Sequence, residues 1–210
     1  MSRITLNSKC RLCRAEGCKL YLKGVRCNSA KCPLEKKGAV PPGMHGVKRM
    51  KKPSDYSIQL RAKQKAKRIY GINETQFKNY YLKAKNMKGL VGQNLLTLVE
   101  LRLDNVVYLS GLASSHSNSR QIISHKHVLV NDKIINISSY SVKIGDIISL
   151  DSKTLDSIKE DIETRVKDLK IPSWLEFNKN QFTVKIATLP EVEDLQNGID
   201  INLIIEYYSR

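Results

Sequence analysis

The 210 residues, 41% hydrophobic and 27% charged, suffice for one large domain or two to three small ones and have the composition of a soluble globular protein. No apolar run approaches the roughly 20 residues of a membrane-spanning helix, and the opening residues lack the apolar stretch of a secretory signal, so neither a membrane nor an export role is expected. The net charge of +16 lies in the first third: residues 1 to 70 hold 19 Lys and Arg against 3 Asp and Glu, whereas residues 71 to 210 hold 17 of each. A solvated surface mixes both signs, so a block of one sign calls for a polyanionic partner. Nucleic acid fits better than an anionic membrane, because the Cys- and Gly-punctuated residues 9 to 46 do not spell a basic amphipathic helix with a bulky apolar face.

In chain order, residues 1 to 52 are turn-rich, punctuated by Gly17, Gly24, Pro33, Gly38, Pro41-Pro42-Gly43 and Gly46, and no hydrophobic period survives between them. An irregular segment without a conventional core is expected. From Ser54-Asp55 the pattern turns helical, with Tyr56, Leu60 and Ile69-Tyr70 on the apolar side and Gly71 as the stop. A second helix starts after Asn73, whose side chain and Gln76 form a capping-box arrangement; Phe77, Tyr80, Tyr81 and Ala84 give its buried stripe and Gly89 ends it. Helical spacing resumes from Leu95 to Val107, and Arg102-Leu103-Asp104-Asn105 marks the boundary into a new domain.

Ser115 caps a short helix that carries Ile122-Ile123 inward. After His125-Lys126-His127 the period changes to two, with a tight turn at Asn131-Asp132 and another at Lys143 to Asp146. Residues 151 to 170 read as a charged helix, 171 to 195 as short extended pieces around Trp174, Phe177 and Phe182, and Ile199 to Tyr208 as an apolar closing segment. The fold class is α+β.

The sharpest chemical signal is Cys10-x2-Cys13-x13-Cys27-x4-Cys32. Four thiolates suit tetrahedral zinc, and a two-residue spacing lets one turn aim two sulfurs at one ion. A disulfide framework belongs to secreted scaffolds, and no thioredoxin-like pattern surrounds the Cys-x-x-Cys pair. Structural Zn2+ on Cys10, Cys13, Cys27 and Cys32 is the expectation, with Cys18 left over.

Phosphate oxygens are expected to meet Lys9, Arg11, Arg14, Lys19, Lys23 and Arg26 around the cysteines, and Lys48, Arg49, Lys51 and Lys52 before the first long helix. Arg61, Lys63, Lys65, Lys67 and Arg68 add its polar side, and Ser115, Arg120, Lys126 and His127 belong to the later helix and loop. Arginine, which grips phosphate bidentately, is the stronger candidate. Tyr56, Tyr70, Tyr80 and Tyr81 could stack on bases, although at helical spacing the core is their commoner place. His125-x-His127 lacks a neighbouring nucleophile or carboxylate constellation, and no Walker or dinucleotide glycine pattern is present. An enzyme is not expected, nor a small-molecule substrate.

Several runs resemble one family. Cys10-Arg11-Leu12-Cys13-Arg14-Ala15-Glu16-Gly17, Leu20-Tyr21-Leu22-Lys23-Gly24, Pro41-Pro42-Gly43-Met44-His45-Gly46, Pro53-Ser54-Asp55-Tyr56, Arg68-Ile69-Tyr70-Gly71, Arg102-Leu103-Asp104-Asn105-Val106-Val107-Tyr108 and the closing Ile204-Ile205-Glu206-Tyr207-Tyr208-Ser209-Arg210 resemble bacterial-type small-subunit ribosomal protein four, in its zinc-binding subtype. The resemblance implies a zinc-stapled segment over 1 to 52, a helical domain over 53 to 98 completed by about 171 to 210, and an inserted two-helix and antiparallel-strand RNA-binding module over 99 to 160. It further implies primary binding to small-subunit rRNA, nucleation of body assembly, contact with small-subunit ribosomal protein five, a place near the channel through which mRNA enters, and an influence on translational accuracy. The cytoplasm is the expected compartment, an organellar ribosome the other. The opening Arg3-Ile4-Thr5-Leu6-Asn7 departs from the family pattern, and His116 stands where Arg is common. A pseudouridine synthase or tyrosyl-tRNA synthetase sharing the module would need a catalytic domain for which residues outside 99 to 160 leave no room. A zinc-dependent regulator that binds its own mRNA is the remaining alternative.

Overall fold

Serine at position 54 and glycine at 71 set the limits of the longest helix of the first unit in the computed structural model, which describes residues 8–47, 52–190 and 198–210. Contacts sort the chain into two units, Met1–Gly92 with Gly198–Arg210, and Gln93–Asn197.

The first unit opens with helix α1 (Lys9–Glu16), a 3-10 turn (Gly24–Cys27) and the short helix α2 (Pro33–Lys37). This part is more regular than its sequence suggests, because α1 runs between Ser8 and a left-handed Gly17, a stop that only residue 17 needs to supply. Helix α3 (Asp55–Tyr70) begins where Ser54 Oγ accepts the Ser57 N–H at 3.4 Å, and ends at Gly71, whose left-handed conformation lets its N–H reach the Lys67 carbonyl. Asp55 in the first turn and Lys67 and Arg68 in the last suit the helix dipole. Helix α4 (Glu74–Asn86) follows; Asn73 sits at its N-cap position without the expected side-chain cap bond.

The buried face of α3 is Gln59, Lys63, Ala66 and Tyr70, a helical spacing of which half is polar. It packs against helix α9 (Ile201–Ser209), the last element of the chain. Gln59 Nε2 donates to Glu206 Oε2 at 2.8 Å, and Lys63 Nζ donates to Glu74 Oε1 at 2.9 Å while standing 4.1 Å from the Tyr207 ring centroid. Tyr208 stacks on Tyr81 at 4.8 Å and donates its hydroxyl to Glu74 Oε1. Burial alone raises the Glu74 pKa, but the bonds from Lys67, Lys63 and Tyr208 more than offset it and hold the carboxyl at about 2. Helix α5 (Val91–Glu100) comes so close to α9 that a Cβ on Gly92 would stand 2.5 Å from Ile201 Cγ2; glycine is required there by space.

The second unit is α+β. Helices α6 (Leu103–Leu109) and α7 (His116–Ser124) precede a five-stranded antiparallel sheet of order β2-β1-β3-β5-β4, built from β1 (Val128–Val130), β2 (Lys133–Ile134), β3 (Ile147–Leu150), β4 (Leu175–Asn178) and β5 (Thr183–Ile186). Helix α8 (Ser152–Asp168) lies between β3 and β4 in sequence. Asn131 and Asp132, both at positive φ, form the two-residue turn between β1 and β2. Alternation puts Val128, Val130, Ile148, Leu150, Val184 and Ile186 on one face, where they pack with Leu103, Val106, Val107, Ile122, Ile123, Ile162 and Trp174.

The expected module, 99 to 160, lies within the larger compact unit Gln93–Asn197. Residues about 171 to 210, expected to complete the helical domain, divide between the units: β5 pairs with β3, Ile148 opposite Val184, and brings β4 with it. Only Gly198–Arg210 returns to the first unit. Two four-residue strands carry too little periodicity to announce a partner, whereas an unpaired edge at β3 would leave backbone donors unsatisfied.

Candidate nucleic-acid interface

In the second unit, α6 and α7 are held together by a buried polar network. Asp104, 1% exposed, accepts from Arg102 at both oxygens, Nε to Oδ1 at 3.0 Å and Nη2 to Oδ2 at 2.8 Å, and from Arg120 Nε at 2.7 Å. Ser119 Oγ donates to the Asp104 carbonyl. Asn105 Nδ2 donates to the carbonyl of Glu100 at 3.0 Å and to its carboxylate, which leaves Asn105 Oδ1 as the acceptor of the His116 Nε2–H at 3.1 Å. The His116 ring lies 4.2 Å from that of Tyr108. Burial pulls the His116 pKa down to about 4; Asp104 opposes and Arg120 and Arg102 assist. A neutral histidine is thus a structural hydrogen-bond donor, with no charge to offer a phosphate.

This arrangement fixes the start of α7. Ser115 is buried and its Oγ accepts the Asn118 N–H at 3.3 Å, the cap its sequence predicts. Arg120, half-buried, has its Nε turned to Asp104. Lys126 is exposed at positive φ, and His127 pairs its Nδ1 with Asp151 Oδ2 at 3.4 Å. A hydrogen bond with Thr154 lowers the Asp151 pKa; desolvation opposes it, and the pairing with His127 adds to the fall.

In the first unit, the basic residues divide into exposed and engaged. Arg11, Lys23, Arg26 and Lys52 are exposed. Arg14 is turned inward, donating Nε to the Val40 carbonyl at 2.8 Å and Nη2 to that of Pro41 at 3.0 Å. Glu16, whose side chain is 3% exposed, takes ion pairs from Arg61 and Arg68, tying α1 to α3. Lys19 pairs with Glu35 at 2.5 Å, which raises its pKa; Lys9 is pushed down by burial and then by Lys23. Lys65 donates to the Gly198 carbonyl and Lys67 to Glu74. Lys63 is buried, so the expectation that it faces a phosphate is corrected: four carbons of side chain bring its ammonium inward to an aromatic and carboxylate pocket that helical spacing along α3 does not reveal. Tyr70 and Tyr81 are core residues, while Tyr56 is half exposed beside Tyr207. Lys48, Arg49, Lys51 and the departing Arg3 to Asn7 lie outside the described residues.

Cys10, Cys13, Cys27 and Cys32 line one cavity of about 10 Å³, with Leu22, Pro33 and Leu34 around them. That space suits a single ion-sized body. Lys23 N–H donates to Cys27 Sγ at 3.4 Å. Burial pushes the Cys13 thiol up, a backbone bond at Leu20 opposes, and the neighbouring Cys27, Cys10 and Cys32 add to the rise, as sulfurs sharing one pocket must. Among the described residues, however, no group of three or more His, Cys, Asp or Glu side chains stands in an arrangement that could hold a metal. The four thiols share a cavity and have the right donor chemistry, but are not drawn into a closed site.

Sequence reasoning missed Glu100, Arg102, Asp104 and Asn105 as a buried network and Glu16 as an anchor. The signal was charge density: two ionised residues and an amide between Leu101 and Val106, in a segment otherwise apolar.

A basic helical unit and a small α+β module with a capped helix have the charge and the exposed helix start that suit a polyanionic partner. Residues 5–100 match the family described as Ribosomal protein S4/S9 N-terminal domain, and residues 101–148 match the S4 domain. The chain is 46% identical to small ribosomal subunit protein uS4 of Natranaerobius thermophilus over 96% of both chains. It is 47% identical to that of Pelotomaculum thermopropionicum over the full length of both, and 48% identical to that of Caldicellulosiruptor bescii over 96% of both. The chain belongs to the small ribosomal subunit protein uS4 family.

Proposed function

We propose that this chain, a structural constituent of the small ribosomal subunit that binds its RNA, grips small-subunit rRNA with two surfaces and thereby starts assembly of the subunit body. The first surface is the exposed basic set Arg11, Lys23, Arg26 and Lys52, backed by the half-buried Lys9 and by Lys19, Arg61, Lys65, Lys67 and Arg68, whose carboxylate and carbonyl partners leave donors over. The second is the outer side of α7 with Arg120, Lys126 and His127, held by the Asp104 network and opened by the Ser115 cap. Its place of work is the cytoplasm, within the small subunit, and it is not an enzyme.

The observation that carries this reading is the confinement of the whole +16 charge to residues 1 to 70 in a chain that matches whole uS4 relatives at 46 to 48% identity. Co-sedimentation in moderate salt tests it: the chain should track the small subunit, and a chain that stayed in the soluble fraction would defeat it.

The finer reading includes structural Zn2+ on Cys10, Cys13, Cys27 and Cys32, contact with small-subunit ribosomal protein five, a place beside the channel through which mRNA enters, and an influence on decoding accuracy. Zinc held by the four thiolates would supply about 10 to 16 kcal/mol of folding free energy where the segment's own apolar core is small. The shared cavity and the four-thiol donor set support it. Inductively coupled plasma analysis of the purified chain should find one zinc per protein, falling when Cys13→Ser and Cys27→Ser are introduced.

A further inference from the structure

Between α8 and the β4–β5 hairpin lies a cavity of about 240 Å³ lined by Glu163, Val166, Lys167, Phe177, Lys179 and Phe182. Its floor is aromatic: the Phe177 and Phe182 rings meet edge to face at 6.3 Å. Phe182 is held at φ +50, a left-handed conformation that bulky residues rarely adopt. Strain of that kind persists where the surroundings impose it, and it collects at binding sites. The rim is cationic. Lys167 and Lys179 are exposed and line the cavity with Glu163 as its one carboxylate, and Lys159 Nζ stands 5.4 Å over the Phe182 ring.

The volume lies just below the roughly 300 to 1,000 Å³ of sites for drug-sized ligands, which suits one planar ring rather than a stretch of chain. An aromatic floor under a cationic rim is the chemistry that receives an unpaired base together with its phosphates. We propose that this cavity receives one extruded nucleobase of the small-subunit RNA, the base lying on the Phe177 ring with Phe182 behind it and the flanking phosphates on Lys167 and Lys179. The proposal rests on the RNA-binding reading above and adds to it a contact in a part of the second unit that neither the basic block nor α7 reaches in sequence.

The test uses the full chain in two arms. In the first, Lys179→p-benzoylphenylalanine protein is built into small subunits and irradiated; the crosslink should map to an unpaired rRNA nucleotide. In the second, AMP titrated into the free full chain should shift the NMR signals of Val166 and Phe182. Inorganic phosphate should leave them in place, and Lys167→Glu with Lys179→Glu should weaken AMP about tenfold. A crosslink to protein alone would assign the cavity to a protein partner and overturn the proposal. So would AMP that moves the cavity signals no more than phosphate does. If the chain failed to enter the subunit at all, the ribosomal reading would fall, while the AMP arm would still decide the cavity.

Discussion

The carboxylate of Asp104 is clamped by Arg102 at both oxygens while being 1% exposed, and the same carboxylate takes Arg120 from the next helix. An ion pair so buried gains little over an apolar substitute, but removing one side strands the other. Asp104→Ala should therefore cost about 3 to 5 kcal/mol of stability, read from the urea midpoint at unchanged slope. A loss under about 1 kcal/mol would show that the other contacts of α6 and α7 hold this region without the Asp104 carboxylate.

His116 gives the network a dependence on pH. Its folded pKa, about 4, lies below the ordinary 6.5, so between those values the unfolded chain binds the proton and the folded one does not. Stability from this residue is complete above about pH 6.5 and is lost as pH falls to about 4, by about 3 kcal/mol in all. Urea unfolding from pH 7 to 4 should show this slope in the parent chain and its absence in His116→Gln. Parallel pH curves for the two would contradict the assignment.

Lysines of one block have different jobs. Arg11→Ala or Arg26→Ala, at exposed positions, should each lower the salt dependence of rRNA binding by about one phosphate's worth with little change in folding. Lys63→Met should do the reverse, since Lys63 is buried against Tyr207 and bonded to Glu74. It should lower the unfolding temperature of the free protein and leave the salt slope alone.

Removing metal should act locally. With Zn2+ bound, amide protons of residues 10 to 32 should exchange slowly, and a strong chelator at neutral pH should speed them while the sheet residues Val128, Ile148 and Val184 keep their protection, since they belong to a separate core. Exchange around the cysteines that is indifferent to chelation would argue that zinc does not staple this segment.

What could be read from sequence followed local rules. Ser54, Gly71, Ser115 and the Asn131-Asp132 turn act through their own backbone, and each appears at the expected place. The two strands β4 and β5 depend on β3, whose Ile148 pairs with Val184 some 36 residues later, and such long-range pairing leaves no local period. The same holds for Lys63, which reads as part of a solvated basic face because the groups that draw it inward, Glu74 and Tyr207, come from other helices. Nothing in the spacing of the cysteines foretold α1, because its stop is a single glycine, Gly17, and of its eight residues Cys13 alone is buried.

The central claim is that the charge of the first third meets RNA phosphates. Binding of the full chain to purified small-subunit rRNA, measured across rising salt, tests it most directly. The account predicts that affinity falls roughly a thousandfold between about 50 and 200 mM monovalent salt, in a straight line on logarithmic axes. An affinity that stayed constant across that range would contradict it.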